Sequence, residues 1–217
     1  MTTIKVSAFR WVPPMVQGLV RDLRVRWALE EAQLPYEERL LGPGEQKLDE
    51  YRGLQPFGQV PAYEEDGLVL FESGAIVMHV AERCETLLPS DPAARARAKT
   101  WMFAALNTME PVVQQLAEID LFHAQEPWAK SRRPALEDRV KTRLTELAAR
   151  LGTRDYLDGR FTAGDLLMAT VLRNLRQTDL VAQVPALAAY RLRCEGRPAS
   201  QRALAAQMET FARNAPA

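Results

Sequence analysis

"GQVPAYEEDGLVLFES", residues 58–73, decides how the first part of the chain is read. Apolar and β-forming residues stand on both sides of Asp66-Gly67, a dipeptide that takes the positive φ angles of a tight turn, so a β-hairpin is expected here. Pro61 opens its first strand. Proline cuts the trans preference of the preceding bond to about 0.5–1 kcal/mol, so Val60-Pro61 is a candidate cis peptide, with an ordinary edge-strand proline as the alternative. In the cis case the Val60 N–H and C=O point outward and can pair with an extended, peptide-like ligand as a short added strand. The pattern then changes: Ile76, Val77, Val80, Ala81 and Cys84 have helical spacing. Ser73 is placed to cap that helix, whose N–H groups and partial positive charge suit a ligand carboxylate, while Glu72 suits a ligand ammonium. Together they would grip a free amino-acid head group; alone, the pair also reads as a plain N-cap beside an exposed Glu.

Working outward, "IKVSAF" (4–9) predicts a strand and residues 19–32 a helix with two apolar stripes, Val20/Leu23/Trp27 and Val25/Ala28/Leu29/Ala32. Asp22, Arg26 and Glu30 sit four apart between them, as a solvent-facing charge ladder would. A helix with two stripes has two neighbours. A second strand is expected near 36–41, then a loop with a helical turn in "GPGEQKLDEYRGL", giving the order β-α-β-α-β-β-α. "LLPSDPAARARA" (87–98) breaks the periodicity. Beyond it no strand pattern occurs, and helices are expected near 93–123 with a break at Pro111, and at 134–151, 163–178, 186–195 and 198–212. The fold class is therefore α/β plus all-α: a small α/β domain over 1–86 and an all-helical domain over 93–217. Thr162 and Asp165 have capping-box spacing at the start of an apolar helix.

The 217 residues carry 28 Lys plus Arg against 28 Asp plus Glu, with 47% hydrophobic and 26% charged residues. Nothing in that balance favours a nucleic acid or a membrane surface, and a small-molecule partner is expected. "MTTIKVSAFRW" lacks a signal-peptide pattern and no apolar run is long enough to span a bilayer, so a cytoplasmic location is expected. Cys84 and Cys194 lack metal or dithiol spacing, and His79 and His123 have no ligand pattern around them, so no metal is expected.

The ordered set "RVRWALEEAQLPYE", "GEQKLDEY", "QPFGQVPAYEEDGLVLFES", "LLPSDPAARARA" and "FTAGDLLMATVL" resembles cytosolic glutathione transferases along nearly the whole chain. The resemblance implies a thioredoxin-like glutathione-binding domain, an all-α electrophile-binding domain, a homodimer, and glutathione as co-substrate in detoxification. It implies that Val60, before cis-Pro61, pairs its backbone with the cysteinyl unit and that Glu72 and Ser73 take the γ-glutamyl head group. Gln46 or Lys47 would meet the glycyl carboxylate, with Gln59 nearby. Phe103, Leu106 and Met109, otherwise plain helical core, would line the pocket for an apolar electrophile. The Thr162/Asp165 element is assigned to folding.

At one place the chain departs from the family. A free thiol titrates near ~8.5, so glutathione needs its thiolate stabilised, which family members do with a Tyr at the end of the first strand or a Ser or Cys where the first helix begins. Here Phe9, Arg10 and Trp11 stand at the strand end, Leu19 and Arg21 at the helix start, and an extra "VPPMVQ" (12–17) lengthens the loop. Arg21 by its charge and Trp11 by its indole N–H are the candidate replacements, with the Gln17 amide, the Ser7 hydroxyl and the helix N–H groups as further options. The expected function is attack of bound glutathione thiolate on small apolar electrophiles, with thiol-dependent peroxide reduction as a variant. The alternative is a non-catalytic protein that binds glutathione or apolar ligands.

Overall fold

Strand β1 (Ile4–Phe9) runs parallel to β2 (Tyr36–Leu41), in register from Ile4 opposite Tyr36 to Phe9 opposite Leu41. On its other side β1 pairs antiparallel with β3 (Ala62–Glu65), which turns through Asp66 (φ 50°) and Gly67 (φ 81°) into β4 (Leu68–Phe71). The strand order is β2-β1-β3-β4. Those two positive φ angles are what a two-residue hairpin needs to follow the strands' right-handed twist. This is a computed structural model, and it describes residues 3–216.

Helix α1 (Asp22–Ala32) makes the crossover between the two parallel strands. It begins later than the periodicity suggests, because residues 10–21 form a loop containing one short helical turn at Pro14–Val16. Both apolar stripes are used: α1 packs on α3 (Ser73–Ala81) and on α9 (Pro198–Arg213). The expected charge ladder is where the sequence reading fails. Asp22 and Arg26 are each only 1% exposed, because α9 covers that face and brings its own polar partners. Between β2 and β3 lies α2 (Asp49–Arg52), one turn that buries Tyr51.

The chain divides into two units, 1–88 with 198–217 and 89–197, so the last helix groups with the sheet. In the second unit α4 (Pro92–Phe103) is capped by Asp91, which accepts from Ala94 N–H at 2.7 Å. A wide π-helical segment, Ala104–Met109, leads into α5 (Glu110–Glu118), and another follows at Ile119–His123. The expected break at Pro111 is thus taken up by widened turns, and Pro111 sits in the first turn of α5, where its missing donor costs nothing. Helix α6 (Pro127–Leu151) starts a full turn and more before the expected position and carries Pro134 on an exposed face, where the carbonyl it leaves unpaired can meet water.

Helix α7 (Ala163–Arg173) is buried from Ala163 to Leu172 and forms the centre of this unit, with α8 (Pro185–Glu195) packed beside it. Thr162 and Asp165 form the capping box that their spacing predicts. Asp165 also accepts from Leu157 N–H at 2.9 Å and Tyr190 O–H at 3.0 Å. Among the described residues no helix is long and apolar enough to cross a membrane.

Candidate functional site

The Val60-Pro61 bond is cis. On either side of it the backbone is held: the Gln59 carbonyl accepts from the Tyr51 hydroxyl at 2.7 Å, and Ala62 N–H donates to the Ser7 hydroxyl oxygen at 2.6 Å. Gln55, buried, accepts from Phe57 N–H (2.7 Å) and Gln59 N–H (3.2 Å) through its side-chain oxygen. Among the described residues the Val60 N–H and C=O themselves engage no backbone partner. A peptide-like strand can therefore be added here without displacing one.

Several other segments converge on this turn. Val60 shares a buried cluster with Leu41, Tyr51 and Ala62, and Phe9 from the end of β1 and Val20 from the loop before α1 pack against it. Gly58, at φ +63°, brings the turn so close to the Gln46 carbonyl that a Cβ there would lie 2.8 Å from its oxygen, which only glycine permits. Gln46 is half-buried and its Oε1 has no hydrogen-bond partner among the described residues, leaving a polar atom for a ligand; Lys47 is exposed beside it.

Ser73 is not the N-cap. Glu72 holds that position, with φ 68° and an exposed side chain, and Ser73 is the first helical residue. The Ser73 hydroxyl is buried and accepts from Arg24 Nη1 at 3.2 Å. With its oxygen so engaged, the hydroxyl hydrogen remains available to a carboxylate at the helix start, where the backbone N–H groups also point. Arg24 was not singled out by sequence because it looks like one of three surface arginines; its 3% exposure is set by packing.

The loop that leads into α1 carries Trp11 and Arg21, the residues expected to hold the thiolate. Arg21 occupies the N-cap position of α1, half-buried, and Trp11 is half-buried nearer the strand end. Gln17 donates its side-chain amide to the Val12 carbonyl at 3.0 Å, which ties the loop back on itself. Ser7 is removed from the candidates, because its oxygen lies 2.6 Å from both the Tyr51 hydroxyl and Ala62 N and the residue is buried. In the first turn of α1, burial pushes the Asp22 carboxyl up, while Arg26 and the Gln207 amide pull it down.

In the second unit Phe103 is exposed, Leu106 half-buried and Met109 buried in the core. Neither cysteine has reactive surroundings: Cys194 is fully buried, which pushes its thiol well up, and Cys84 donates weakly to the Glu31 carbonyl at 3.6 Å. Among the described residues no group of three or more His, Cys, Asp or Glu is placed to hold a metal ion.

A β2-β1-β3-β4 sheet with a cis-proline before β3, followed by an all-helical unit, defines the class: a thioredoxin-like domain joined to a helical one. The family pattern "Glutathione S-transferase, N-terminal domain" matches residues 16–82. Glutathione S-transferase 4 of Zea mays is 30% identical over 198 residues, covering 86% of this chain and 85% of its own. Glutathione S-transferase F14 of Arabidopsis thaliana is 31% identical over 159 residues, 67% of this chain, and the match spans 63% of that relative's length. A glutathione transferase of Burkholderia graminis, solved with two glutathione molecules bound per subunit, superposes with a TM-score of 0.80 at 28% identity, covering 93% of this chain and 87% of its own. The chain belongs to the glutathione S-transferase family.

Proposed function

We propose that this chain is an enzyme that binds glutathione on its first unit and transfers it to small apolar electrophiles. The observation that carries this reading is the cis Val60-Pro61 turn, whose Val60 backbone groups engage no backbone partner among the described residues while their neighbours are pinned. The cysteinyl unit pairs there, the γ-glutamyl carboxylate meets Ser73 and the start of α3, Glu72 receives the ammonium, and Gln46, Lys47 and Gln59 flank the glycyl end. The thiol loses its proton to solvent, the thiolate sulfur forms a bond to the electrophilic carbon, and the leaving group departs with its electron pair. Arg21 and Trp11, at the two ends of the loop before α1, hold the thiolate. Phe103 and Leu106 are accessible enough to receive an apolar electrophile, whereas the 4% exposure of Met109 makes it a support behind them.

A cytoplasmic homodimer with a detoxifying role, and thiol-dependent peroxide reduction as a side activity, belong to the same reading. Its dimer part is supported by an apolar patch on the first unit, where Phe57 is 66% exposed and meets Phe71 edge-on at 6.1 Å, with Val69 on the same face of β4. A second reading, a glutathione-binding protein with little chemistry, is favoured by one observation: the Ser7 hydroxyl of β1 is already committed.

Calorimetry with glutathione, a pH titration of the bound thiol and turnover of an activated dinitroaryl chloride separate the two. Binding with a depressed thiol pKa and turnover is the expected result. An unshifted thiol without turnover leaves the binding protein, and absence of glutathione binding overturns both.

A further inference from the structure

We propose that Ser7 and Tyr51 form a buried hydroxyl relay that fixes the Val60-Pro61 turn, and that both are positioning residues for the ligand that pairs with the Val60 backbone. This rests on the reading that glutathione pairs there. Four groups lie in sequence: Ala62 N–H, the Ser7 hydroxyl (2.6 Å), the Tyr51 hydroxyl (2.6 Å from Ser7) and the Gln59 carbonyl (2.7 Å). A carbonyl can only accept, so the single Tyr51 hydrogen goes to Gln59. The Tyr51 oxygen must then accept from Ser7, and the Ser7 oxygen accepts from Ala62. Every hydroxyl hydrogen is thereby assigned and the relay has one direction.

Its two ends are the residues immediately outside Val60-Pro61, one on each side. The relay thus spans the turn from behind, bridging β1, α2 and β3, while the Val60 N–H and C=O are left out of it. Exposures of 2% for Ser7 and 4% for Tyr51 keep water from substituting for either hydroxyl. The same bookkeeping excludes a catalytic role for both, because neither has a hydrogen left to give to a thiolate. Burial also pushes the Tyr51 phenol up, which keeps it protonated and able to donate. The sequence pattern hid the pair: Ser7 reads as a small strand residue, and Tyr51, 44 positions away, as an ordinary loop aromatic.

Tyr51→Phe keeps the ring and removes the hydroxyl; Ser7→Ala removes the other link. In the full-length protein without ligand, amide exchange at residues 59–62 is expected to quicken in both. The glutathione Kd should rise about fivefold, as the loss of one net hydrogen bond implies. The glutathione KM should rise likewise, with kcat changed by less than about twofold, the pattern of lost ground-state positioning. Thr162→Ala, a loss of stability in the other unit, serves as control and should leave both quantities unmoved. An unchanged Kd in Tyr51→Phe and Ser7→Ala, or a rise that Thr162→Ala matches, overturns the proposal. Failure of the unsubstituted protein to bind glutathione overturns instead the reading beneath it, and unchanged exchange at 59–62 would then refute the relay independently.

Discussion

Arg24 Nη1 donates to Ser73 Oγ across 3.2 Å, joining the first turn of α1 to the first turn of α3 through two buried side chains. The bond uses the serine as an acceptor and so turns its hydrogen toward whatever lies at the helix start. Because Glu72, not Ser73, holds the N-cap position, Ser73→Ala removes no cap. The expected result is a glutathione Kd raised about tenfold, the order of a hydrogen bond to a charged group, with helix stability little changed. Calorimetry and thermal melting of the same sample check the two halves.

Arg21 and Trp11 should differ in what they do to the bound thiol. A guanidinium at the start of α1 stabilises the thiolate by charge, so Arg21→Ala should raise the thiol pKa of bound glutathione by about one unit toward its free value near ~8.5. Trp11→Phe keeps an aromatic ring and removes only the indole N–H, and should raise it by less. Thiolate ultraviolet absorbance followed against pH in the saturated complex reads both. Identical curves for the three proteins would leave the amides of the α1 start as the activating group.

Phe57, Val69 and Phe71 offer an apolar patch that a lone subunit would leave to water. Phe57→Ser should therefore weaken self-association by at least about tenfold, since a buried aromatic anchor carries 2 kcal/mol or more, roughly, at an interface. Sedimentation velocity over a dilution series measures it. A monomer at every concentration in the unsubstituted protein would remove the dimer from the reading.

Glu65 and Arg83 supply a pH dependence with a definite sign. Arg83 donates to both Glu65 oxygens, at 2.9 and 2.8 Å, and these bonds hold the Glu65 carboxyl below its ordinary value of 4.5. The folded protein thus binds that proton less readily than the unfolded chain, so the stabilisation is complete above 4.5 and fades as pH falls through the lowered value. Glu65→Gln should melt lower than the unsubstituted protein at neutral pH, with the gap closing in acid. Melting curves at a series of pH values test it, and a constant gap would show that the carboxylate charge is not the source.

The local pattern was legible where one short segment settles its own conformation. Asp66-Gly67 announced its hairpin, Thr162 and Asp165 their capping box, and the weak alternation in β1 gave a strand at the observed limits. What escaped depends on which face meets which neighbour. Asp22 and Arg26 look like a solvated ladder until α9 covers them, and Ser7 looks idle until Tyr51 arrives from α2. Around the candidate site, the cis Val60-Pro61 bond was readable from its proline and the helix start near Ser73 from the change in periodicity, although the cap position fell to Glu72. The hydrogen-bond partners behind them were not, since Arg24 and Tyr51 have the same composition signature as surface residues.

Gln207 is the long-range partner on which the buried charges of α1 depend. Its amide donates to Asp22 Oδ1 at 2.8 Å and to the Val20 carbonyl at 3.3 Å, while Arg26 bonds Asp22 at 2.7 Å and Glu38 at 2.6 Å. Thr210, also on α9, donates to the same Glu38 oxygen at 2.5 Å. Taking Gln207 to Leu leaves Asp22 in the core one donor short, at a cost of about 1–3 kcal/mol. Gln207→Glu should cost more, because it sets a second carboxylate beside the first in a site with one guanidinium to share. Burial already raises the Asp22 pKa, so the folded state holds that proton to higher pH than the unfolded chain, and the Asp22 contribution to stability declines as pH rises above its ordinary 3.8. The Glu variant deepens that decline. Denaturant unfolding of both variants from acid to neutral pH should show the Glu protein losing stability most steeply as the solution is made less acid. Parallel curves would mean that the second carboxylate escapes to solvent and that α9 does not seal this site.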